Sequence, residues 1–128
     1  MARFFWVCFA GGVGTGARYL LSGWVQRKLG PSFPLGTLAV NVLGCLLLGG
    51  VMQISLSTRL LPADARVVVS IGLLGGFTTY SSFNYETLAF VEQGRPFQAT
   101  VYFLAMLLGC AVAGLLGTWG ARSVVSSG

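Results

Sequence analysis

Gly72-Leu-Leu-Gly-Gly-Phe-Thr-Thr-Tyr-Ser-Ser-Phe-Asn84 decides how this chain folds. The stretch lies inside an apolar run but is a poor continuous helix. The paired glycines Gly75 and Gly76 weaken helical backbone, and the hydroxyls of Thr78, Thr79, Ser81 and Ser82 compete for its hydrogen bonds. In hydrocarbon, backbone can break only where it is buried in protein or lines a cavity. The pattern predicts such a break, exposing carbonyls near Gly75 and Thr78. Freed carbonyls can coordinate a hard cation such as sodium. Beyond the break, Tyr80 and Phe83 are spaced to share a helix face. Ring edges are electropositive. With hydroxyl donors from Thr79, Ser81 and Ser82, they can replace part of the water shell of a small anion. A filter without charged rings conducts when it holds the ion well enough to admit it and weakly enough to release it. Any single aromatic is usually a packing ring. The concentration of rings, glycines and hydroxyls in one segment is what argues for ion passage.

Working outward, the 128 residues are 55% hydrophobic and only 9% charged, against about a quarter charged in soluble domains. A soluble fold this short would have too much surface to cover with so few polar side chains. Lipid is the expected solvent. A crossing helix needs about 20 mostly apolar residues, and four segments qualify, near Phe4–Val25, Leu35–Ser55, Val67–Phe90 and Gln98–Ala121. The links are short and carry turn chemistry: Gly30-Pro31-Ser32 with Pro34, then Pro62-Ala63-Asp64, then Gly94-Arg95-Pro96. Neighbouring helices should therefore be antiparallel, within one transmembrane domain over residues 1–128. No cleavable signal peptide is expected, because the first apolar run is too long for a signal core and lacks a small-x-small exit.

The net charge of +5 is not a nucleic-acid signature, since the basic residues are spread singly along the chain. Four spans put Arg3, Arg59, Arg66 and Arg122 on one face of the membrane and Arg27, Lys28 and Arg95 on the other. Orientation follows an excess of such residues on the cytoplasmic side. So even a split favours insertion both ways up over a single orientation fixed by a partner. Two oppositely inserted copies would pair antiparallel, bringing two broken segments together so that two carbonyls from each chain enclose one central ion. Small residues spaced by four support close helix packing within or between subunits. They include Gly12 and Gly16, Gly72 and Gly76, and the ladder Ala105, Gly109, Ala113, Gly117 and Ala121.

Polar residues within the spans each need a partner. Arg18 can snorkel, bind carbonyls at a broken helix, or supply positive charge to an aqueous vestibule. Asn41, in mid-span, is either an interhelical hydrogen bond or a donor facing an anion; alone it favours the former. Glu86 lies one turn past Ser82 and Phe83, where it can accept from a hydroxyl, hold a proton or sit in a vestibule. Tyr102, Met106, Cys110, Gly114 and Thr118 form a four-residue stripe that is a weak candidate for a pore lining. Cys8, Cys45 and Cys110 read as small core residues. With no histidine and no paired cysteine spacing, a zinc or haem site is not expected. An enzyme is not expected either, because there is no paired carboxylate set and no nucleophile with a base beside it. Two rivals remain at this level. A small proton-coupled exporter would have to rely on Glu86 as its carboxylate. A non-transporting assembly subunit would leave the polar third span unexplained.

The chain resembles the Fluc (CrcB) family of bacterial fluoride channels. The likeness rests on Gly12-Val-Gly-Thr-Gly-Ala-Arg-Tyr19, on Gly36-Thr-Leu-Ala-Val-Asn-Val-Leu-Gly44 and on Gly75-Gly-Phe-Thr-Thr-Tyr-Ser-Ser-Phe83. It covers essentially the whole chain. The resemblance implies an antiparallel, dual-topology homodimer in the bacterial inner membrane, with two fluoride pores and a central structural sodium ion. It implies passive fluoride export that limits cytoplasmic fluoride. It places Asn41, Ser81, Ser82, Glu86 and Tyr102 along the ion path, with Tyr80 and Phe83 at the aromatic positions contacting fluoride. Arg18 matches the first-helix arginine, and the carbonyls of Gly75 and Thr78 match the sodium ligands. Two residues depart from the family pattern: Tyr80 stands where Phe is usual, and Ser82 where Thr is frequent. The added hydroxyl of Tyr80 should slow transport by holding the ion or intruding on its route. Ser82 keeps the donor and should matter little.

Overall fold

The computed structural model describes residues 1–127 and is helical nearly throughout, with no strand among them. Helix α1 spans Ala2–Leu29 and α2 spans Leu35–Ser57. The third segment starts as α3, Ala63–Val67, widens into a π-helical stretch, Val68–Leu74, and tightens again as α4, Gly75–Phe77. Helix α5, Tyr80–Glu92, follows after two extended residues, and α6 covers Pro96–Ser126. At a rise of about 1.5 Å per residue, α2 and α6 are roughly 35 Å and 46 Å long. Both are apolar and long enough to cross a membrane. The first and last helices run beyond the apolar segments expected for them.

Two links show why helices end where the turn residues stand. Helix α5 closes with Gly94 at φ 70°, where the Gly94 amide donates to Val91 O and the Arg95 amide to Phe90 O. This is a Schellman closure, which needs the left-handed conformation that glycine adopts freely. Pro96 then starts α6, where its missing N–H costs nothing. At the other link, Gln26 holds the turn with its side chain. Its Nε2 donates to the carbonyls of Gly30 and Phe33 at 2.6 and 2.9 Å, and its Oε1 accepts from the Gly36 amide at 3.2 Å. At the opposite end of the molecule, Arg3 pairs with Asp64 at 3.2 Å and Arg122 donates to Gln53 at 3.4 Å. These contacts gather the amino terminus, the second link and the end of α6 at one end.

The helices approach one another through glycine. Helices α2 and α6 run parallel and nearly touch: a Cβ on Gly117 would lie 2.0 Å from Leu46 O, and one on Gly49 2.4 Å from Gly114 O. Helix α1 meets the third segment the same way, with Gly14 against Leu73 O and Gly76 against Gly11 O. The four-residue spacing is borne out for Gly72 and Gly76. In α1, however, the close approach falls on Gly14, whereas Gly12 and Gly16 meet nothing within 4 Å. Phe83, Phe90, Ala99, Tyr102 and Met106 form the apolar core between α5 and α6.

Replacing Gly117 by Ala puts a methyl into the backbone of α2 and should cost about 1–3 kcal/mol, the usual penalty of overpacking. Gly120 has open space around it, so Gly120→Ala should be neutral or stabilise by up to about 1 kcal/mol through helix propensity. Thermal unfolding of the two variants in detergent separates the cases; equal melting temperatures would contradict the packing.

Candidate functional site

The break falls at Thr78 (φ −90°, ψ 159°) and Thr79 (φ −151°, ψ 116°). The position corrects one detail of the sequence reading: Gly75 and Gly76 are not the weak point but remain helical. Gly76 is there because α1 passes too close for a side chain. The threonines supply the interruption. Thr78 Oγ1 turns back to Leu74 O at 3.0 Å. Thr79 Oγ1 accepts from the Ser82 amide at 3.3 Å, capping α5 as an N-cap threonine should.

Most of the polar groups at the break can be followed to a new partner. In a continuous helix the Thr79 amide would donate to Gly75 O; instead it donates to Asn41 Oδ1 at 2.7 Å. Asn41 Nδ2 returns a bond to Thr79 O at 2.8 Å, so the buried amide of α2 clasps Thr79 at both of its backbone groups. Arg18 Nη1 donates to Thr78 O at 3.0 Å, and Thr15 Oγ1 to Gly76 O at 3.4 Å. Of the alternatives open for Arg18, the structure shows binding to a carbonyl at a broken helix. For Asn41 it shows the interhelical hydrogen bond. The second Asn41 N–H points toward Met106 Sδ at 3.5 Å, a weak acceptor. The Gly75 carbonyl is left without its helical donor.

Gly75, Thr78, Thr79, Tyr80 and Phe83 line one side of an open groove of about 310 Å³, faced by Asn41 and Met106. Phe83 is buried, and its ring meets Tyr80 edge-on at 5.6 Å and Tyr102 at 5.3 Å between centroids. Tyr80 is 73% exposed, so within one chain its outer side has no protein neighbour. Ser81 is exposed, while Ser82 Oγ accepts from Thr79 Oγ1 at 3.1 Å.

Glu86 stands at the end of this track with both oxygens engaged. Tyr102 Oη donates to Oε2 at 2.6 Å, and Thr37 Oγ1 donates to Oε1 at 2.8 Å. Tyr102 is fully buried. Thr37 was not singled out from the sequence. Its only signal was a hydroxyl one helical turn before Asn41 on α2, the spacing that puts both on one face. Ser82 and Thr37 also share a smaller groove with Arg18 and Thr15. The structure thus brings together Arg18, Asn41, Thr79, Tyr80, Ser82 and Phe83 around the break, with Glu86 and Tyr102 a turn further along.

A family model described as CrcB-like protein, Camphor Resistance (CrcB), matches residues 5–118. A protein of Anaeromyxobacter sp. (strain K) named fluoride-specific ion channel FluC is 55% identical over 118 residues, covering 92% of this chain and 94% of that one. The protein of that name from Sorangium cellulosum (strain So ce56) is 44% identical, covering 98% and 99%. That from Citrifermentans bemidjiense is 37% identical, covering 97% and 100%.

Truncating Asn41 to Ala strands the Thr79 N–H and C=O, at about 1–3 kcal/mol for each buried group left unpaired. Thr15→Ala removes a long, exposed bond and should change stability by less than about 0.5 kcal/mol. Thermal unfolding in detergent checks the ranking; an Asn41→Ala protein as stable as Thr15→Ala would show that the clasp does not hold the break.

Proposed function

We propose that this chain, which belongs to the CrcB-like family, forms a passive, fluoride-selective channel in the bacterial inner membrane. The observation that carries the reading is the break at Thr78–Thr79, clasped by Asn41 and followed at once by the Tyr80–Phe83 ring pair. Relatives named for fluoride conduction match almost end to end. Here the residues of the break bracket a groove with few charges.

Fluoride is small and strongly hydrated, so it passes only where its water shell is replaced. The Asn41 N–H directed at Met106 is the easiest donor to lend, because a thioether holds it weakly. Ring edges of Tyr80 and Phe83 add positive potential without a fixed cation. The hydroxyls of Thr79, Ser81 and Ser82 continue the path toward Glu86 and Tyr102. Arg18 is spent on Thr78 O, so its positive charge lies beside the groove rather than across it. A full charge in the path would bind the anion too tightly to release it.

The functional unit in this reading is an antiparallel homodimer of four-span chains with two pores. The exposure of Tyr80 is its main support within one chain, since a second copy would enclose that ring. The near-even division of basic residues between the two faces allows both insertions. A structural sodium ion fits the donor chemistry. Gly75 O has lost its helical donor, and Thr78 O keeps one lone pair beyond the Arg18 bond. Both are hard, neutral oxygens, and two from each chain would be needed. When bound, the ion would supply positive charge to tie carbonyls of the two chains together. Transport is assigned to the groove residues alone.

Reconstituted in liposomes, the protein should release fluoride and retain chloride. Tyr80→Phe should release fluoride several-fold faster with chloride still excluded, and Ser82→Thr should match the parent. Equal rates for Tyr80→Phe and the parent would remove the role given to the tyrosine hydroxyl. Failure of the parent to release fluoride would overturn the channel reading itself.

A further inference from the structure

The groove beside the break carries two thiols that halide passage does not use, and with the Met106 thioether they make three sulfur-bearing side chains in its lining. Cys45 comes from α2, and Met106 and Cys110 from α6, and all three line the cavity. Met106 and Cys110 are four residues apart and so share a helix face. Cys110 Sγ lies 3.8 Å from Met106 Sδ. Cys45 lies where α2 packs on this part of α6, its carbonyl 3.9 Å from where a Cβ on Gly114 would stand, and its side chain lines the same groove as Cys110. Both thiols are free and partly accessible. The Met106 sulfur is itself positioned by Asn41 Nδ2 at 3.5 Å. The helices carrying these residues are held rigidly, because Gly49 and Gly117 bring α2 and α6 into backbone contact.

We propose that Cys45, Cys110 and Met106 form a binding site for one soft, thiophilic metal ion of the mercury(II) type. Thiolate and thioether sulfurs select soft ions over hard ones. At the zinc–thiolate bond length of about 2.3 Å the sulfurs of a three-coordinate site stand about 4 Å apart; a larger soft ion needs slightly more, which the 3.8 Å between Cys110 Sγ and Met106 Sδ reaches by a small rotation of the Met106 side chain. Charge favours a divalent ion. Two S–H bonds break, two protons leave to water, two sulfur–metal bonds form, and nothing is oxidised or reduced. Two thiolates then cancel the +2 charge, so the loaded site is neutral and can persist in an apolar groove. The thioether completes the shell without adding charge. Hard ions find no carboxylate or imidazole here, and no cluster of three or more such ligating side chains occurs among the described residues.

The site stands independently of the transport reading; only its effect on transport rests on that reading. An ion held by these sulfurs occupies the groove next to the Asn41 amide and the Tyr80–Phe83 pair. It should therefore block fluoride.

The test starts from a Cys8→Ser protein, which keeps only the two groove thiols, titrated in detergent with mercury(II). A thiolate-to-mercury charge-transfer band in the ultraviolet should saturate at one ion per chain, with two protons released per ion. Cys45→Ser and Cys110→Ser should each weaken binding at least tenfold. Met106→Leu should keep the stoichiometry but give up the metal faster to a competing thiol. Circular dichroism and size-exclusion profiles matching the parent establish that the variants are folded. Three results would overturn the site: no band, an endpoint of half an ion per chain, or parent-like binding by either serine variant. In liposomes, one equivalent should stop fluoride efflux. A full band with undiminished efflux would keep the metal site and move the fluoride route out of this groove.

Discussion

The fold turns on one side chain. An interrupted helix in an apolar setting leaves amides and carbonyls that water cannot reach, and each would cost as much as a lost hydrogen bond. Asn41 removes two of those debts at once, taking the Thr79 amide on its oxygen and giving its nitrogen to the Thr79 carbonyl. A carboxamide is suited to this because it carries donor and acceptor on one small planar group. A hydroxyl also donates and accepts, but from a single atom, whereas the carboxamide meets the two Thr79 backbone groups with two separate atoms. With Arg18 and Thr15 serving the neighbouring carbonyls, the break becomes a fixed piece of structure. It can then aim ring edges and donors into a groove.

That fixity depends on how closely the helices lie. Asn41 reaches Thr79, and Arg18 reaches Thr78, only because glycine lets backbones approach: Gly14 and Gly76 between α1 and the third segment, and Gly44 against the Thr78 methyl. In lipid, no hydrophobic force draws helices together, and van der Waals contact between small residues takes its place. The glycine content and the polar break are therefore two parts of one solution. The same closeness puts Cys45 of α2 and Met106 and Cys110 of α6 in the lining of one groove, although nothing about ion passage asks for thiols there.

Much of this is legible in the residues before any coordinates. A hydroxyl run after paired glycines announces an interruption, and Gly94-Arg95-Pro96 announces a turn, because both depend on neighbours in sequence. The pairing of each freed carbonyl with its donor was not legible. Arg18 and Thr78 are 60 positions apart, and Asn41 and Thr79 are 38 apart, so the partners are set by helix rotation. The π-helical stretch Val68–Leu74 alters that rotation just before the break, and periodicity alone does not register it. In α1 it is Gly14, rather than Gly12 or Gly16, that meets the third segment of the same chain. Thr37 was overlooked for a related reason: a single hydroxyl on an apolar helix has no meaning until Glu86 is seen opposite it.

The central claim is that the break, as Asn41 holds it, makes the path for the anion. Its most direct test is fluoride efflux through Asn41→Asp in liposomes. The substitution preserves side-chain size and the acceptor for the Thr79 amide, but it removes the donor that serves the Thr79 carbonyl and the ion. Fluoride efflux should fall at least tenfold in protein that still elutes as a single symmetric peak on size exclusion. Efflux at the parent rate would contradict the claim, because the path would then need neither the amide donor nor the geometry it maintains.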